Sequence, residues 1–207
     1  TLGTYPDKEQ NFGVGGWNGI TTRPELYNKF DVADKRAMFF TEGHSLNITE
    51  LTSDTKLGYG VTKFRNITST GAAGKHKDFV DTDYPLFRLA DAYLMYAEAV
   101  LRGGGGAKAT ALGYVNEIRS RAGLTTPVTE GELTLDFILD ERARELYWEG
   151  WRRQDLIRFG KFTGNSYNWQ WKGNSYAGTT ISNHLKLFPL PADQLQMNKN
   201  LKQNQGY

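Results

Sequence analysis

The sequence predicts a mostly α fold with long irregular loops and a few short strands, and three observations carry that prediction. Leu86, Leu89, Ala90, Tyr93, Leu94, Ala97 and Leu101 draw one apolar stripe at helical spacing. A run of four glycines, Gly103 to Gly106, interrupts it, and a second helical pattern follows at once. Upstream of Asp83 the composition is different, rich in Gly, Thr, Asn and Asp with no sustained helical period, so residues 1–82 read as a loop-rich connecting region and 83–207 as a helical one.

Within the first region, Ala37–Thr41 and Gly60–Asn66 are β-like runs. The second helix starts near Ala107 and places Ala111, Leu112, Val115, Ile118 and Ala122 on one face before Gly123 ends it. Two helices joined by a short Gly loop have the size of a tetratricopeptide-type unit, which cannot bury its face alone. A third helix opens at Thr134, an N-cap residue with Asp136 in the first turn, and is expected to run at least to Glu149 with Leu135, Ile138, Leu139, Arg142 and Leu146 inward. Thr163 to Asn183 revert to Gly, Asn, Ser and aromatics. A short strand, Leu187 to Leu190, and a last helical turn opened by Pro191 complete the reading.

Composition excludes several functions. With 25 Lys+Arg against 23 Asp+Glu the net charge is +2, and the basic residues are interspersed with acids, so nucleic acid is not an expected partner. Cysteine is absent, which removes thiolate catalysis and Cys-type zinc sites. The first residues carry no Met, no charged n-region and no apolar h-region, so the chain reads as beginning inside a longer protein. His44, His76 and His184 stand in no metal-binding or triad spacing, and no cofactor or metal is expected.

Two groups of residues are candidates for chemistry. Glu141, Glu145 and Glu149 fall at i, i+4 and i+8, which would stack three carboxylates on one helical face. A di-iron site would add a Glu-x-x-His partner, and none is present. The interleaved Arg142, Arg144, Arg152, Arg153 and Arg158, with Asp155, supply the alternative, a set of carboxylate–guanidinium pairs that knit helices together. The second group is aromatic. Trp17 and Asn18 sit between glycines in GGWNG, and Tyr167, Trp169 and Trp171 sit beside Asn168 and Gln170 in the long polar loop, where exposure is expected. Flat rings beside amides suit the C–H faces and hydroxyls of sugars. Trp17 reads equally as an anchor for the N-terminal loops, and the loop tryptophans could instead be protein contacts. Trp148 and Trp151, on the charged segment, read as packing residues.

Four stretches occur in order over about 125 residues: DYPLFRLADAYLMYAEAVLRGGGG, ALGYVNEIRSRAGL, LDERARELYWEGWRRQDLIRFGKF and LFPLPADQLQMNKNLKQNQGY. In this order they resemble the C-terminal portion of the SusD/RagB family, surface lipoproteins of Bacteroidetes that capture nutrients, mostly glycans. The resemblance implies the C-terminal part of a SusD-like fold and a non-catalytic role in binding an oligosaccharide for a TonB-dependent transporter. It also implies a lipid anchor at the outer face of the outer membrane and an N-terminal half that this chain lacks. In that family the run from Glu141 through Arg158 is architectural, so Glu141, Arg142, Glu145, Glu149, Arg152, Asp155 and Arg158 are expected to form a structural ion-pair network. A helical-repeat scaffold that binds protein through its aromatics is the alternative, and a glycosidase using Glu141 and Glu145 stands third.

Overall fold

Helix dominates the regular structure of the computed structural model, which describes residues 20–51, 56–76 and 79–207. The elements are α1 Pro24–Tyr27, β1 Phe39–Phe40, β2 Gly60–Val61, α2 Leu89–Leu101, α3 Lys108–Arg121, α4 Leu135–Leu146, α5 Arg152–Arg158 and α6 Ala192–Met197, with two 3-10 turns at Lys172–Asn174 and Asn183–Lys186. The β-like runs expected from the sequence supply the one two-stranded antiparallel sheet among the described residues, Phe39 opposite Val61 and Phe40 opposite Gly60. The chain divides into two compact units, Thr1–Arg152 and Arg153–Tyr207.

In the first unit α2 packs on both α3 and α4. Leu94 and Ala97 of α2, Ala111, Val115 and Ile118 of α3, and Ile138, Leu139, Ala143 and Leu146 of α4 are the buried set. Each large aliphatic side chain so buried is worth about 1.5–3 kcal/mol, and the alanines let the helices approach closely. The ring of Tyr93 stacks on Tyr114 with centroids 4.0 Å apart, and Tyr96 Oη accepts a hydrogen bond from the Ala107 N–H at 3.1 Å. The glycine turn is sterically required at Gly106, where an added Cβ would lie 2.6 Å from Tyr96 Oη.

The structure departs from the sequence expectation in three places. The helix expected from Leu86 begins at Leu89 instead, and Leu86 is 69% exposed. Arg88 is extended (φ −147°, ψ 156°) because its guanidinium is drawn to Glu145 and Glu149. The α4 helix is capped as expected, Thr134 Oγ1 accepting from the Phe137 N–H, but it stops at Leu146 rather than passing Glu149. Tyr147 turns extended so that its ring can stack on Phe39 at 5.4 Å and its hydroxyl can donate to the Arg36 carbonyl at 2.7 Å. Trp148 then adopts φ +63°, a conformation costly for a bulky residue.

The third departure is in the second unit, where Leu187 to Leu190 form no strand. Side chains of the tail take the place of a partner strand: Gln203 both accepts from the Leu190 N–H and donates to its carbonyl, Asn204 donates to the Phe188 carbonyl, and Tyr207 donates to that of Leu187. The closing helix α6 follows Pro191 as expected.

From the segment before α2 into its first residue, a run of apolar side chains faces water. Phe79, Val80, Tyr84, Leu86, Phe87 and Leu89 are all more than half exposed. A single soluble monomer rarely leaves so many large apolar groups uncovered. The chain on its own is therefore expected to self-associate and to bind an apolar dye; a monodisperse monomer in light scattering with no dye binding would contradict this.

Candidate functional sites: an aromatic loop and a buried ion-pair cluster

The loop from Thr163 to Asn183 is folded around the side chain of Lys172, which is 1% exposed although its neighbours are polar. Its ammonium donates to the Gly164 and Tyr167 carbonyls at 2.6 and 2.7 Å and lies 4.8 Å from the centre of the Trp169 ring. Burial pushes its pKa down. The chain returns past this centre, Thr179 N–H donating to the Lys172 carbonyl, and Gly178 passes so close to Trp169 that a Cβ there would meet its carbonyl at 2.5 Å.

This folding decides where the candidate rings go. Trp169 is half-buried rather than exposed, stacked near Phe162 at 5.9 Å and tilted against Tyr167 at 6.1 Å. Trp171, also half-buried, meets Tyr176 edge-on at 5.9 Å, and Tyr176 is exposed. Arg153 lies over the rings of Phe162 and Phe188, with the shorter distance, 4.2 Å, to Phe188. The structure thus brings Tyr167 and Trp169 together and pairs Trp171 with Tyr176. Gln170 is buried, whereas Asn168 is exposed. Trp17 and Asn18 lie outside the described residues. Expected exposure of Trp169 and Trp171 from polar neighbours was wrong in degree, because an aliphatic-stemmed cation at Lys172 gathers the loop's carbonyls and draws the rings inward.

In the first unit, Glu141 and Glu145 lie on α4 and are buried. Glu141 accepts from Arg36 at 2.7 Å and from Arg144 at 2.6 Å, with Arg119 at 3.4 Å. Glu145 accepts from Arg88 and Arg121, each at 2.5 Å, and from Arg36 at 3.1 Å. Glu149 is past the end of the helix, so the three carboxylates do not stack on one helical face. It joins the other two through shared partners, with Arg88 at 2.6 Å and Lys63 at 2.5 Å. Lys63 also holds the carbonyls of Glu145 and Tyr147, closing the C-terminal end of α4. Arg142 and Asp91 form a separate pair at 2.7 Å between α4 and α2, both essentially excluded from water. Arg152 donates to the Leu139 carbonyl at 2.9 Å, and Arg142 lies 5.9 Å from the centre of the Trp151 ring. In the second unit Arg158 donates to the buried Asp155 at 2.7 Å.

The electrostatics follow from this wiring. Burial alone would raise the Glu145 carboxyl, but the hydrogen bonds from Arg88 and Arg36 and the charges of Arg88 and Arg121 outweigh it and hold the pKa at about 2. Burial would lower the Arg36 guanidinium, yet its bonds to Asp34 and Glu141 raise it. Desolvation lowers Lys63 more than Glu149 raises it. A carboxylate held ionised so far below neutral pH and enclosed by guanidiniums is a poor proton donor or acceptor near neutrality. Sequence reasoning missed Asp34, Arg36, Lys63, Arg88, Arg119 and Arg121 as members of this cluster. Their only signal was negative: α4 carries more buried charge than its own neighbours at i±3 and i±4 can pair. Among the described residues no group of three or more His, Asp or Glu side chains is placed to hold a metal ion, and no helix is long and apolar enough to cross a membrane.

A helical hairpin closed by α4 and wired by buried arginine pairs is the frame of the first unit. Residues 41–207 match the family model described as the SusD family, and the chain belongs to that family. It is similar to the starch-binding protein SusD of Bacteroides thetaiotaomicron, 46% identical over 153 residues that cover 72% of this chain and 26% of that protein. A SusD-like protein of Bacteroides ovatus is 27% identical over 178 residues, 78% of this chain and 32% of the relative. Among solved structures, surface glycan-binding protein A from Bacteroides thetaiotaomicron in complex with laminarihexaose superposes with a TM-score of 0.68 at 25% identity, covering 98% of this chain and 44% of that one. The chain thus spans about a quarter to a third of the length of these curated relatives.

Proposed function

We propose that this chain is part of a surface glycan-binding protein that holds a neutral oligosaccharide, without catalysis of its own, for a TonB-dependent outer-membrane transporter. The observation that carries the reading is its membership of the SusD family together with a likeness, over 98% of the chain, to a surface glycan-binding protein in complex with laminarihexaose. Family membership also supports a lipid-anchored position of the whole protein on the outer face of the outer membrane. The near-neutral charge balance fits an uncharged ligand. In this reading Tyr167, Trp169 and Trp171 of the loop, and Trp17 with Asn18, supply sugar contacts, and the ion-pair cluster is the framework that holds the helices.

The loop residues take different parts in this reading. Trp169, held by Phe162, Tyr167 and the Lys172 ammonium, positions the loop as well as touching sugar, and Trp171 with the exposed Tyr176 supplies the main stacking edge. Calorimetry of the intact protein with laminarihexaose and maltohexaose tests this. Trp171→Ala is expected to weaken binding by about 1–3 kcal/mol with little dependence on salt, since stacking works through apolar area and not charge. Trp169→Ala should also lower the melting temperature. Unchanged affinity in both variants would remove the loop from the site. Failure of every neutral oligosaccharide to bind would favour a protein-binding scaffold, the reading to which the exposed run from Phe79 to Leu89 lends support.

A further inference from the structure

A cavity of about 490 Å³ opens in the first unit, walled by Lys29, Phe30 and Asp31 from the turn after α1, Arg119 from the last turn of α3, and Asp136 and Phe137 from the first turn of α4. That volume is within the usual ~300–1,000 Å³ of small-molecule sites. Further along α4, Asp140 and Arg144 follow Asp136 at i+4 and i+8 and continue the same wall.

Most of the charge here is already committed. Lys29 Nζ is on Asp140 at 2.5 Å, Arg144 donates to Glu141 and to the Lys29 carbonyl, and Asp34 is held by Arg36. Arg119 is not fully satisfied. Its Nη1 reaches Glu141 only at 3.4 Å, and its Nε is closed to solvent with no hydrogen-bond partner, so the part of the side chain that a molecule in the cleft can meet is the partly exposed guanidinium end. Its guanidinium and that of Arg144 each lie 5.6 Å from the centre of the Phe137 ring, which fixes their orientation. Opposite in chemistry, the exposed Asp31 has one carboxylate oxygen engaged by the Ala33 N–H at 2.8 Å.

The balance of the walls selects the ligand. Lys29, Arg119 and Arg144 stand against Asp31, Asp34, Asp136 and Asp140, so an anion gains nothing from the field, and with Asp34 on Arg36, Asp140 on Lys29 and Asp136 also engaged, Asp31 is the wall carboxylate left to a cation, too little to hold one. A hydroxyl, in contrast, can accept from Arg119 and donate to Asp31 beside two aromatic walls. We propose that this cleft is a second saccharide contact, taking the neutral hydroxylated end of a glycan between Arg119 and Asp31. The ligand class rests on the proposed glycan-binding function, whereas the site is separate from the tryptophan loop.

Hydrogen–deuterium exchange of the intact protein with maltohexaose, laminarihexaose and glucuronate reads the two places independently. Protection is expected in peptides covering 27–34 and 117–124 with a neutral oligosaccharide and not with glucuronate. Asp31→Ala, at an exposed position, and Arg119→Gln are each expected to weaken the calorimetric affinity about tenfold, roughly the worth of one hydrogen bond to a charged group. Protection confined to 165–178, with both variants binding like the parent, overturns the cleft and leaves the loop site standing. Stronger protection of the cleft by glucuronate overturns the neutral-ligand assignment. Absence of any saccharide binding overturns the cleft and the proposed function together.

Discussion

Asp91→Ala is expected to cost the protein about 3–5 kcal/mol, because it leaves the Arg142 guanidinium buried without its carboxylate. The two groups are 1% and 2% exposed and 2.7 Å apart, between α2 and α4, so water cannot replace the lost partner without opening the helix interface. In a domain of this size the melting temperature should fall by roughly 10 °C. Asp91→Leu combined with Arg142→Met should recover most of the loss, since an apolar pair of similar volume removes the desolvation penalty along with the attraction. Arg152→Ala, in which a guanidinium contact with the Leu139 carbonyl is lost, should cost less. Thermal unfolding followed by circular dichroism measures all three against the parent. An Asp91→Ala melt within about a degree of the parent would mean that the pair is not closed to solvent. If saccharide affinity of the folded protein fell while stability held, the cluster would be a binding site and not a framework.

The hairpin was legible because its signal is local. Leu94 and Ala97 against Ala111, Val115 and Ile118 repeat at helical spacing, Thr134 announces its own N-cap, and four glycines leave no other place for the turn. What was not legible depends on groups distant in the chain. Arg88 ends up extended, delaying the start of α2, because Glu145 and Glu149 lie 57 and 61 residues away in sequence but within hydrogen-bond reach. Tyr147 ends α4 because β1 offers it Phe39, and nothing in the periodicity of Leu135–Leu146 shows that competitor. Tertiary contact outweighed helix propensity in both places.

The candidate site shows the same division. Tyr167, Trp169 and Trp171 could be picked out by residue type, since Trp in a run of Gly, Asn and Ser is unusual whatever the fold. Their orientation could not, because it is set by Lys172, a residue type almost never fully buried and given no weight in the sequence. Arg119 and Asp31 were invisible as a pair for a further reason. They lie 88 positions apart, and only the return of α3 beside the turn after α1 makes them two walls of one cleft.

Acid should unfold this protein through Glu145. Burial opposes ionisation of its carboxyl, but the bonds from Arg88 and Arg36 and the charges of Arg88 and Arg121 prevail, taking the pKa from the ordinary 4.5 to about 2. The folded state therefore binds its proton only at lower pH than the unfolded chain does, so protons favour unfolding in the window between the two values. The stabilisation is present in full above about pH 4.5, declines as pH falls toward 2, and is gone below that. A shift of this size corresponds to on the order of 3 kcal/mol. Urea unfolding at a series of pH values should show the parent losing stability steeply across this window. Glu145→Gln, which cannot titrate, should start less stable at neutral pH, because Arg36, Arg88 and Arg121 lose a charged acceptor, but should show a shallower acid decline. Equal acid slopes in parent and variant would mean that the carboxyl already titrates near its ordinary value in the folded protein, and that the arginines around it are solvated rather than paired.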